Sequence, residues 1–260
     1  MSSSSLKVAL VTASSAGLGA AIAKVLAANM RVIINYSSDA QRAELVQEEM
    51  SSIAGSESVL NDQGEKQPRF AAIRADLANR ADIKKLVAET VSMMGRLDVV
   101  VSNGGWTRIR KFDDLDQNVD EEDWDRCYEI NVKSHLYLLH EARVHLDAAQ
   151  GSFVTVASVA GVKPSGSSIP YSVTKAAQIH MVKCLAHAVG PNIRVNSVSP
   201  GILLTDWGRQ FPEEHLQAAK DGTLLKRFAT VEDVAQAVKL LALNSSLTGH
   251  NLIIDSGFSI

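Results

Sequence analysis

The sequence predicts a single α/β domain built on a doubly wound parallel sheet of about seven strands, with helices on both faces. The main observation is an alternation, repeated along all 260 residues, of short apolar runs with longer segments of helical composition. This alternation is typical of βαβ units, in which a helix connects two parallel strands. The second observation is that the sequence shows neither an internal repeat nor a change in composition that would mark a second domain. One α/β domain can hold a chain of this length.

The strands and helices are predicted in chain order from these runs. Residues 6–11 form an apolar run preceded by serines, which predicts a short buried strand. The segment 51–69 is polar and longer than a connection in such a fold needs, so we expect a mobile surface insertion without chemistry. Further strands are predicted at 31–35, 70–74, 97–101, 151–157, 193–198 and 251–254, and the main helices at 17–28, 79–94, 120–147, 171–189 and 230–243.

Composition and charge exclude several functional classes. Apolar residues make up 46% of the chain and charged residues 21%, which are values of a globular protein. A net charge of −3 gives no reason to expect nucleic acid or an anionic membrane as a partner. The sequence has neither a run of about 18 apolar residues nor a basic segment followed by an apolar core. We therefore expect a cytoplasmic protein without a membrane span or signal peptide.

The histidines do not predict a metal site. His135, His140 and His145 lie in one predicted helix, but their spacing of five residues spreads them around it. Zinc-binding helices instead place two ligands three or four residues apart. The acidic run from Asp113 to Asp125 is better explained as the capped start of a helix. No metal is therefore expected.

A glycine-rich turn follows the first predicted strand. Residues 12–19 read Thr-Ala-Ser-Ser-Ala-Gly-Leu-Gly, and residues 20–26 continue with helical composition. Such a turn lets backbone N–H groups approach a pyrophosphate at the positive N-terminus of the helix. The simpler alternative is a tight strand–helix turn that binds no ligand. Gly17 and Gly19 alone do not decide between the two.

Tyr171 and Lys175 are four residues apart and therefore share one face of a predicted helix. An ammonium close to a phenol favours the ionised phenol and lowers its pKa, which is about 10 when unperturbed. A phenol tuned in this way is a general acid or base for a carbonyl oxygen. Ser158 follows the apolar run 152–157 and can offer a hydroxyl to the same oxygen. The alternative is a chance pair with a solvated lysine.

Together these residues resemble the short-chain dehydrogenase/reductase family, from about Leu6 to the C-terminus. The nucleotide-binding loop of that family usually reads Thr-Gly-x-x-x-Gly-x-Gly, and Ala13 replaces its first glycine here. Asn131, within Ile-Asn-Val, is similar to the family's catalytic asparagine. Further matches at family-like spacing are Asp76-Leu77 after one strand, Ser102-Asn103-Gly104-Gly105 after the next, and Pro200-Gly201 with Thr205.

The resemblance implies a Rossmann-like fold and hydride transfer between NADP(H) and a ketone or secondary alcohol. It implies that Tyr171 donates a proton to the carbonyl oxygen and that Ser158 hydrogen-bonds the same oxygen. It also implies that Lys175 binds the nicotinamide ribose and lowers the pKa of the tyrosine, while Asn131 holds a water that links the lysine to solvent. The implied cofactor-binding residues are Thr12, Ser14, Ser15, Gly17, Leu18, Gly19, Tyr36, Ser37, Ser38, Asp76, Leu77, Asn103, Gly104, Tyr171, Lys175, Pro200, Gly201, Ile202 and Thr205.

The end of the second strand predicts which cofactor is preferred. NAD enzymes of this fold place an acidic side chain there, which binds the ribose 2′-hydroxyl and repels a 2′-phosphate. Here Tyr36 takes that position, the hydroxyls of residues 37 and 38 can bind a phosphate, and Arg42 can add charge. Asp39 is contrary evidence, although it fits the N-cap of the next helix better. We therefore expect NADPH to be preferred.

Residues 201–226 are predicted to form a lid over the substrate. The segment follows a strand, so it emerges at the carboxyl edge of the sheet, where ligands bind in open α/β folds. If Trp207 and Phe211 close over the substrate beside Trp106, the site favours a bulky or lipophilic ketone over a small polar one. The alternative is that both lid aromatics only anchor the loop to the core.

Two other functions stay open at this point. A nucleotide-sensing protein of the same fold would bind the cofactor without catalysis, although it would not need the full set of four catalytic residues. A methyltransferase-like protein that binds S-adenosylmethionine would share the glycine turn but would not need the Tyr–Lys pair. The resemblance also implies a homodimer or homotetramer, in which the helices beginning near Asp120 and Tyr171 pack against their twofold mates.

Overall fold

A parallel sheet forms the centre of the protein, which a computed structural model describes for residues 6–56, 58–60 and 64–260. In chain order the strands are β1 (Val8–Val11), β2 (Arg31–Tyr36), β3 (Ser58–Leu60), β4 (Lys66–Pro68), β5 (Phe70–Arg74), β6 (Val99–Ser102), β7 (Ser152–Val156), β8 (Arg194–Pro200) and β9 (Asn251–Ile254). Seven of them lie side by side in the order β5-β2-β1-β6-β7-β8-β9, and every neighbouring pair is parallel.

Eight α-helices accompany these strands in the described part of the chain. They are α1 (Gly17–Ala27), α2 (Ala40–Ala54), α3 (Arg80–Met94), α4 (Glu121–Tyr128), α5 (Ser134–Ala148), α6 (Ile169–Val189), α7 (Glu213–Gly222) and α8 (Val231–Leu243). None of the helices within the described ranges is long and apolar enough to cross a lipid bilayer.

Both faces of the sheet are buried, because side chains alternate between them along each strand. On β1, Ala9 and Val11 join an apolar cluster with α1, α2 and α8, whereas Val8 and Leu10 join a second cluster with α3, α5 and α6. The helices that follow the neighbouring strands β1 and β6 therefore lie on opposite faces. A crevice opens at the carboxyl ends of these strands, as in other doubly wound sheets. The predicted fold class is confirmed.

The predicted helix at 120–147 is divided in the structure. Helices α4 and α5 are joined by a π-helical turn, Glu129–Lys133, which contains Asn131. Such turns insert an extra residue into the helical repeat and re-aim the side chains around it, often at functional sites.

The segment 51–69 is partly regular. Residues 51–54 belong to α2, and β3 pairs with β4 in an antiparallel hairpin that places Val59 opposite Gln67. Residues 57 and 61–63 lie outside the described ranges. The expected mobility of this segment stays a prediction.

Candidate active site

The turn after β1 adopts a backbone conformation that favours glycine. Ala13 has a φ of +48°, in the left-handed region where a Cβ is strained. Asn35, buried on β2, holds it there, because its Oδ1 accepts a hydrogen bond from the Ala13 N–H at 3.0 Å. The Asn35 side-chain nitrogen is fixed in turn by donating to the backbone carbonyls of Tyr36, Ile73 and Ala75. The turn thus keeps the glycine-like conformation at the expense of strain at Ala13.

The start of α1 is shaped to receive an anion. A Cβ at Gly19 would overlap the carbonyl oxygen of Ala13 and lie 2.7 Å from Nδ2 of Asn103, so only glycine fits there. The N-cap residue Ala16 offers no side-chain hydrogen bond to the first turn of the helix, which contains no acidic residue. The N–H groups of that turn and the positive end of the helix dipole are therefore left for a ligand. These residues fit the pyrophosphate of a dinucleotide.

Replacing Ala13 with glycine is expected to raise the free energy of unfolding by about 0.5–1 kcal/mol. A left-handed alanine costs about 1–2 kcal/mol, and the greater freedom of glycine in the unfolded chain offsets part of the gain. Ala88→Gly is the matched control, since Ala88 is exposed in the middle of α3 and the change there costs about 1 kcal/mol. Urea unfolding measures both variants. Destabilisation in Ala13→Gly would contradict the strain at this turn.

Most residues expected to bind the cofactor surround two adjoining cavities, which share Gly105 as a lining residue. The smaller has a volume of about 160 Å³ and is lined by Ser37, Asp76, Leu77 and Gly104. Tyr36 is the last residue of β2, and Ser15 and Ser38 lie in the turns after β1 and β2. A Cβ at Gly17 would lie 3.3 Å from the side chain of Thr205. The larger cavity has a volume of about 570 Å³, and the expected residues that line it are Leu18, Asn103, Tyr171, Lys175, Pro200, Gly201, Ile202 and Thr205.

Two hydroxyls expected at the cofactor face the protein interior instead. Oγ of Ser14 donates to the carbonyl of Val11 at 2.6 Å and accepts from the N–H of Asn35 at 3.0 Å. Oγ1 of Thr12 accepts from the N–H of Asn103 at 3.0 Å. Both side chains are fully buried. These side chains connect β1, β2 and β6 and shape the turn. The place of the two residues among those that bind the cofactor stays a prediction, in which their backbone groups would make the contact.

Ser158 and Tyr171 are brought together by a short turn that packs on α6. Ser158 follows β7 and caps the 3₁₀ turn Val159–Gly161, because its Oγ accepts the N–H of Ala160 at 3.1 Å. Gly161 approaches the backbone of Lys175 so closely that a Cβ would lie 2.5 Å from the Lys175 carbonyl carbon. This contact brings the Ser158 side chain close enough to the Tyr171 phenol to lower its pKa.

The pKa of the Tyr171 phenol shifts in the direction opposite to the one that the sequence predicts. Burial raises the pKa of Tyr171 to about 12, although the hydrogen bond with Ser158 acts in the other direction. Burial lowers the pKa of Lys175 to about 7, because the ammonium leaves water. The lysine Nζ lies 5.6 Å from the centre of the Tyr171 ring. Burial therefore determines the net shift of the phenol pKa, which is upward, and a lowering contribution from Lys175 stays a prediction.

Asn131 holds a loop in place and does not face the cavity. Its buried side chain accepts the N–H of Trp106 at 2.8 Å and donates to the carbonyl of the same residue at 2.9 Å. The amide also donates to Oγ1 of Thr174 at 3.1 Å. A Cβ at Gly105 would lie 3.5 Å from Oδ1 of Asn131 and 3.6 Å from Nζ of Lys175, so both groups are close to this glycine. Oδ1 of Asn131 accepts one hydrogen bond and keeps a second acceptor position, so the water that the resemblance implies stays a prediction.

Comparisons with known proteins cover nearly the whole chain. The sequence model of a family described as enoyl-(acyl carrier protein) reductase matches residues 12–259. The chain belongs to the short-chain dehydrogenase/reductase family. A relative described as ketoacyl reductase 2 of the granaticin polyketide synthase, from Streptomyces violaceoruber, is 35% identical over 254 residues, which cover 96% of this chain and 95% of that protein.

Solved structures of other members superimpose closely on this one. A short-chain dehydrogenase from Burkholderia cenocepacia, solved with NADP, gives a TM-score of 0.85 at 30% identity and covers 98% of both chains. A 7α-hydroxysteroid dehydrogenase, solved with NADH and 7-oxo glycochenodeoxycholic acid, gives a TM-score of 0.84 at 26% identity and covers 96% of this chain and 93% of the other. Both nicotinamide cofactors thus occur among the structural relatives of this family member.

Trp207 and Phe211 line the larger cavity of this dehydrogenase/reductase, together with Trp106. The ring of Trp207 lies 6.3 Å from that of Tyr171 and meets the Phe211 ring edge-on at 5.4 Å. Phe211 is only 7% exposed and stacks on His215 at 5.1 Å, whereas Trp207 is 43% exposed. Phe211 is thus packed within the segment, and Trp207 lies more exposed beside the phenol. Whether the two rings close over a substrate or only anchor the loop stays a prediction.

Arg74 is a candidate cofactor residue that the sequence did not indicate. It ends β5 directly opposite Tyr36 in the parallel register, and its Nε donates to the carbonyl of Ser37 at 3.0 Å. Arg42, which the sequence predicts to add positive charge near the cofactor phosphate, forms an ion pair with Asp206 of the predicted lid at 2.8 Å. A basic residue at the end of the strand next to β2 could have indicated a phosphate-binding group. Finding it requires the strand order, because Arg74 is far from Ser37 in the sequence and the two meet only where β5 lies beside β2.

Proposed function

We propose that this protein is an NADP(H)-dependent oxidoreductase that transfers a hydride between the nicotinamide and a bulky or lipophilic ketone or secondary alcohol, working in the reductive direction. One observation carries the proposal: Ser158, Tyr171 and Lys175 meet at the wall of the 570 Å³ cavity, which reaches the uncapped start of α1 at Leu18. The nicotinamide, when bound, supplies the hydride. The protein supplies a proton and preplaced hydrogen-bond donors at the carbonyl oxygen.

Tyr171 is the proton donor in this proposal. Its pKa of about 12 keeps the phenol protonated at neutral pH, which suits donation to an oxygen on which negative charge develops. Ser158 donates a second hydrogen bond to that oxygen. Lys175, with a pKa of about 7, can pass a proton to the phenolate that remains and can also bind the nicotinamide ribose. Asn131 keeps the backbone of Trp106 at the cavity wall.

Tyr171→Phe is expected to lower kcat by about two to four orders of magnitude, the usual range for removal of a general acid or base. NADPH should still bind, as measured by fluorescence titration, because only the phenolic oxygen is removed. Tyr137→Phe is the control, since Tyr137 lies on α5 beneath the guanidinium of Arg80 and outside the cavity. A kcat within about tenfold of wild type would contradict the mechanism.

The same measurements separate the enzyme from the nucleotide-sensing alternative. A wild-type protein that binds NADPH but reduces none of a broad panel of ketones would favour a sensor. Turnover of any member of the panel, lost in Tyr171→Phe, would favour the reductase.

The surroundings of the β2 end favour NADPH over NADH. Tyr36 leaves the expected acidic position without a carboxylate, and the guanidinium of Arg74 lies beside Ser37. Guanidinium groups bind phosphate oxygens in a bidentate manner. Arg42 can contribute as well, because its ion pair with Asp206 is exposed on both sides and therefore weak. The Burkholderia relative solved with NADP supports the same preference.

Arg74→Gln is expected to lower kcat/KM with NADPH by about tenfold and to leave kcat/KM with NADH nearly unchanged, because one hydrogen bond to a charged group is lost. Arg80→Gln is the matched control, since that guanidinium lies 4.6 Å from the centre of the Tyr137 ring on α5. Steady-state kinetics with each cofactor provide the measurement. A wild-type kcat/KM that is higher with NADH would refute the preference, and an equal loss with both cofactors would refute the role of Arg74.

The lining of the larger cavity favours a bulky, lipophilic substrate. A volume of about 570 Å³ lies within the range of drug-sized ligand sites. The bound 7-oxo bile acid of the hydroxysteroid dehydrogenase is a ketone of this kind. The large apolar residues that line the cavity are Leu18, Trp106, Phe112, Val156, Val159, Ile202, Leu203, Trp207, Phe211, Phe228 and Phe258.

Trp207→Ala is expected to raise the KM for bulky ketones by about three- to tenfold, the value of one aromatic contact, and to leave the affinity for NADPH nearly unchanged. Trp207→Phe is the conservative control, because it keeps an aromatic ring at the same position. The measurement compares KM for a bulky and a small ketone in each variant. An equal rise for both substrates would show that the ring only holds the segment in place.

The proposed enzyme is a cytoplasmic homodimer or homotetramer. Apolar side chains remain exposed on α5 and α6, among them Leu136, Val144 and Val173. Contact with a second copy along these helices would remove them from water. Light scattering that returns the monomer mass at micromolar concentration would contradict the assembly.

A further inference from the structure

A chain of buried polar side chains leads from Lys175 away from the cavity. Nζ of Lys175 donates to Oε1 of Gln178 at 3.0 Å and to the carbonyl of Val156 at 2.9 Å. Nε2 of Gln178 lies 3.1 Å from Nε2 of His135, and Nδ1 of His135 lies 2.6 Å from Oγ of Ser102. Each of these four side chains belongs to a residue that is at most 3% exposed. These hydrogen-bonded side chains therefore link α6 directly to α5 and to the end of β6.

The hydrogen-bonding groups allow one arrangement when the lysine is charged. An ammonium only donates, so the Gln178 oxygen faces Lys175 and the Gln178 nitrogen faces His135. Nε2 of His135 must then accept, which requires a neutral ring with its proton on Nδ1. That proton is donated to Oγ of Ser102. The neutral ring agrees with the burial of His135, which lowers its pKa to about 3.

The hydrogen bonds of Lys175 matter because the buried amine has few other partners. The titratable groups that face the amine are Tyr171 on the same helix, Cys127 on α4 and His135 on α5. Within the described ranges, no carboxylate forms an ion pair with Lys175. A buried ammonium is costly unless acceptors compensate for the lost water. Here the compensation comes from one backbone carbonyl and the Gln178 amide.

We propose that Gln178 and His135 are positioning residues, which hold the amine of Lys175 in its working orientation and favour its protonated form. Gln178 acts directly on the amine through its oxygen. His135 acts through Gln178, because its acceptor nitrogen, together with the Val156 carbonyl 3.3 Å from Nε2 of Gln178, fixes which end of the amide faces the lysine. The inference rests on the proposed role of Lys175 in proton transfer and cofactor binding, and it adds two residues behind that lysine.

Gln178→Leu and His135→Leu test the proposal. Removing the acceptor for the ammonium should lower the pKa of Lys175 by about one unit in Gln178→Leu, the size expected for a hydrogen bond to a charged group, and by less in His135→Leu. NMR of protein carrying ¹³Cε-labelled lysine measures this titration, with the Lys175 signal identified by its loss in Lys175→Arg. The basic limb of the kcat/KM profile should move to lower pH by the same amount, because activity falls as the amine loses its proton.

Two further variants separate positioning from packing. His135→Gln keeps an acceptor that reaches toward Gln178, so it should restore the wild-type titration and pH profile that His135→Leu loses. Thr90→Val removes a buried polar group on α3 that donates to the Leu86 carbonyl, and it should leave both readouts unchanged. Thermal unfolding confirms that each variant is folded.

The outcomes distinguish this inference from the proposed function. If the wild type reduces no ketone, the proposed function fails, while the NMR titration still tests the effect of Gln178 on Lys175. An unchanged Lys175 titration in Gln178→Leu would overturn the inference. If His135→Leu and His135→Gln change the Lys175 titration and the pH profile by the same amount, the role of His135 would be overturned. A titration that moves while the activity profile does not would overturn the positioning role.

Discussion

The proposed active site depends on the contact between the turn after β7 and the N-terminal half of α6. Gly161 allows the two backbones to touch, and Oγ of Ser172 donates to the carbonyl of Ala160 at 2.6 Å across the contact. Because backbone meets backbone, the position of the strand end relative to the helix has little tolerance. Ser158 on one side and Tyr171 on the other are therefore brought together by the packing of the sheet and not by any local motif.

That packing also removes Tyr171 and Lys175 from water, and this burial sets the direction in which the pKa of each side chain shifts. The pKa of Tyr171 is raised and that of Lys175 is lowered by the same cause, since each side chain prefers its neutral form when it leaves water. A protonated phenol beside an amine that readily gives up a proton is suited to delivering protons toward a carbonyl oxygen. Desolvation thus leaves the phenol protonated at neutral pH, as the proposed proton donation requires.

Buried side-chain amides fix the loops around the cleft. Asn35 holds Ala13 in its left-handed conformation, Asn131 holds the backbone of Trp106, and Gln178 links the lysine to α5. An amide both donates and accepts, so it can satisfy two buried groups that face in different directions. Each of these amides is almost completely removed from water, where an unsatisfied bond would be costly. The rigidity of the site therefore comes from side chains that lie behind it.

Local periodicity and spacing in the sequence are enough to predict the fold class, the seven strands of the central sheet and the shared helix face of Tyr171 and Lys175. They do not reveal the β3–β4 hairpin, whose strands have only three residues each. The sequence also locates the glycine turn, since a strand followed by glycines and a helix is a local signal. The directions of both pKa shifts, the inward orientation of Ser14 and the position of Arg74 beside Ser37 become visible only in the folded protein. Burial, strand order and hydrogen-bond partners arise from contacts between residues far apart in the chain, which spacing along the sequence does not report.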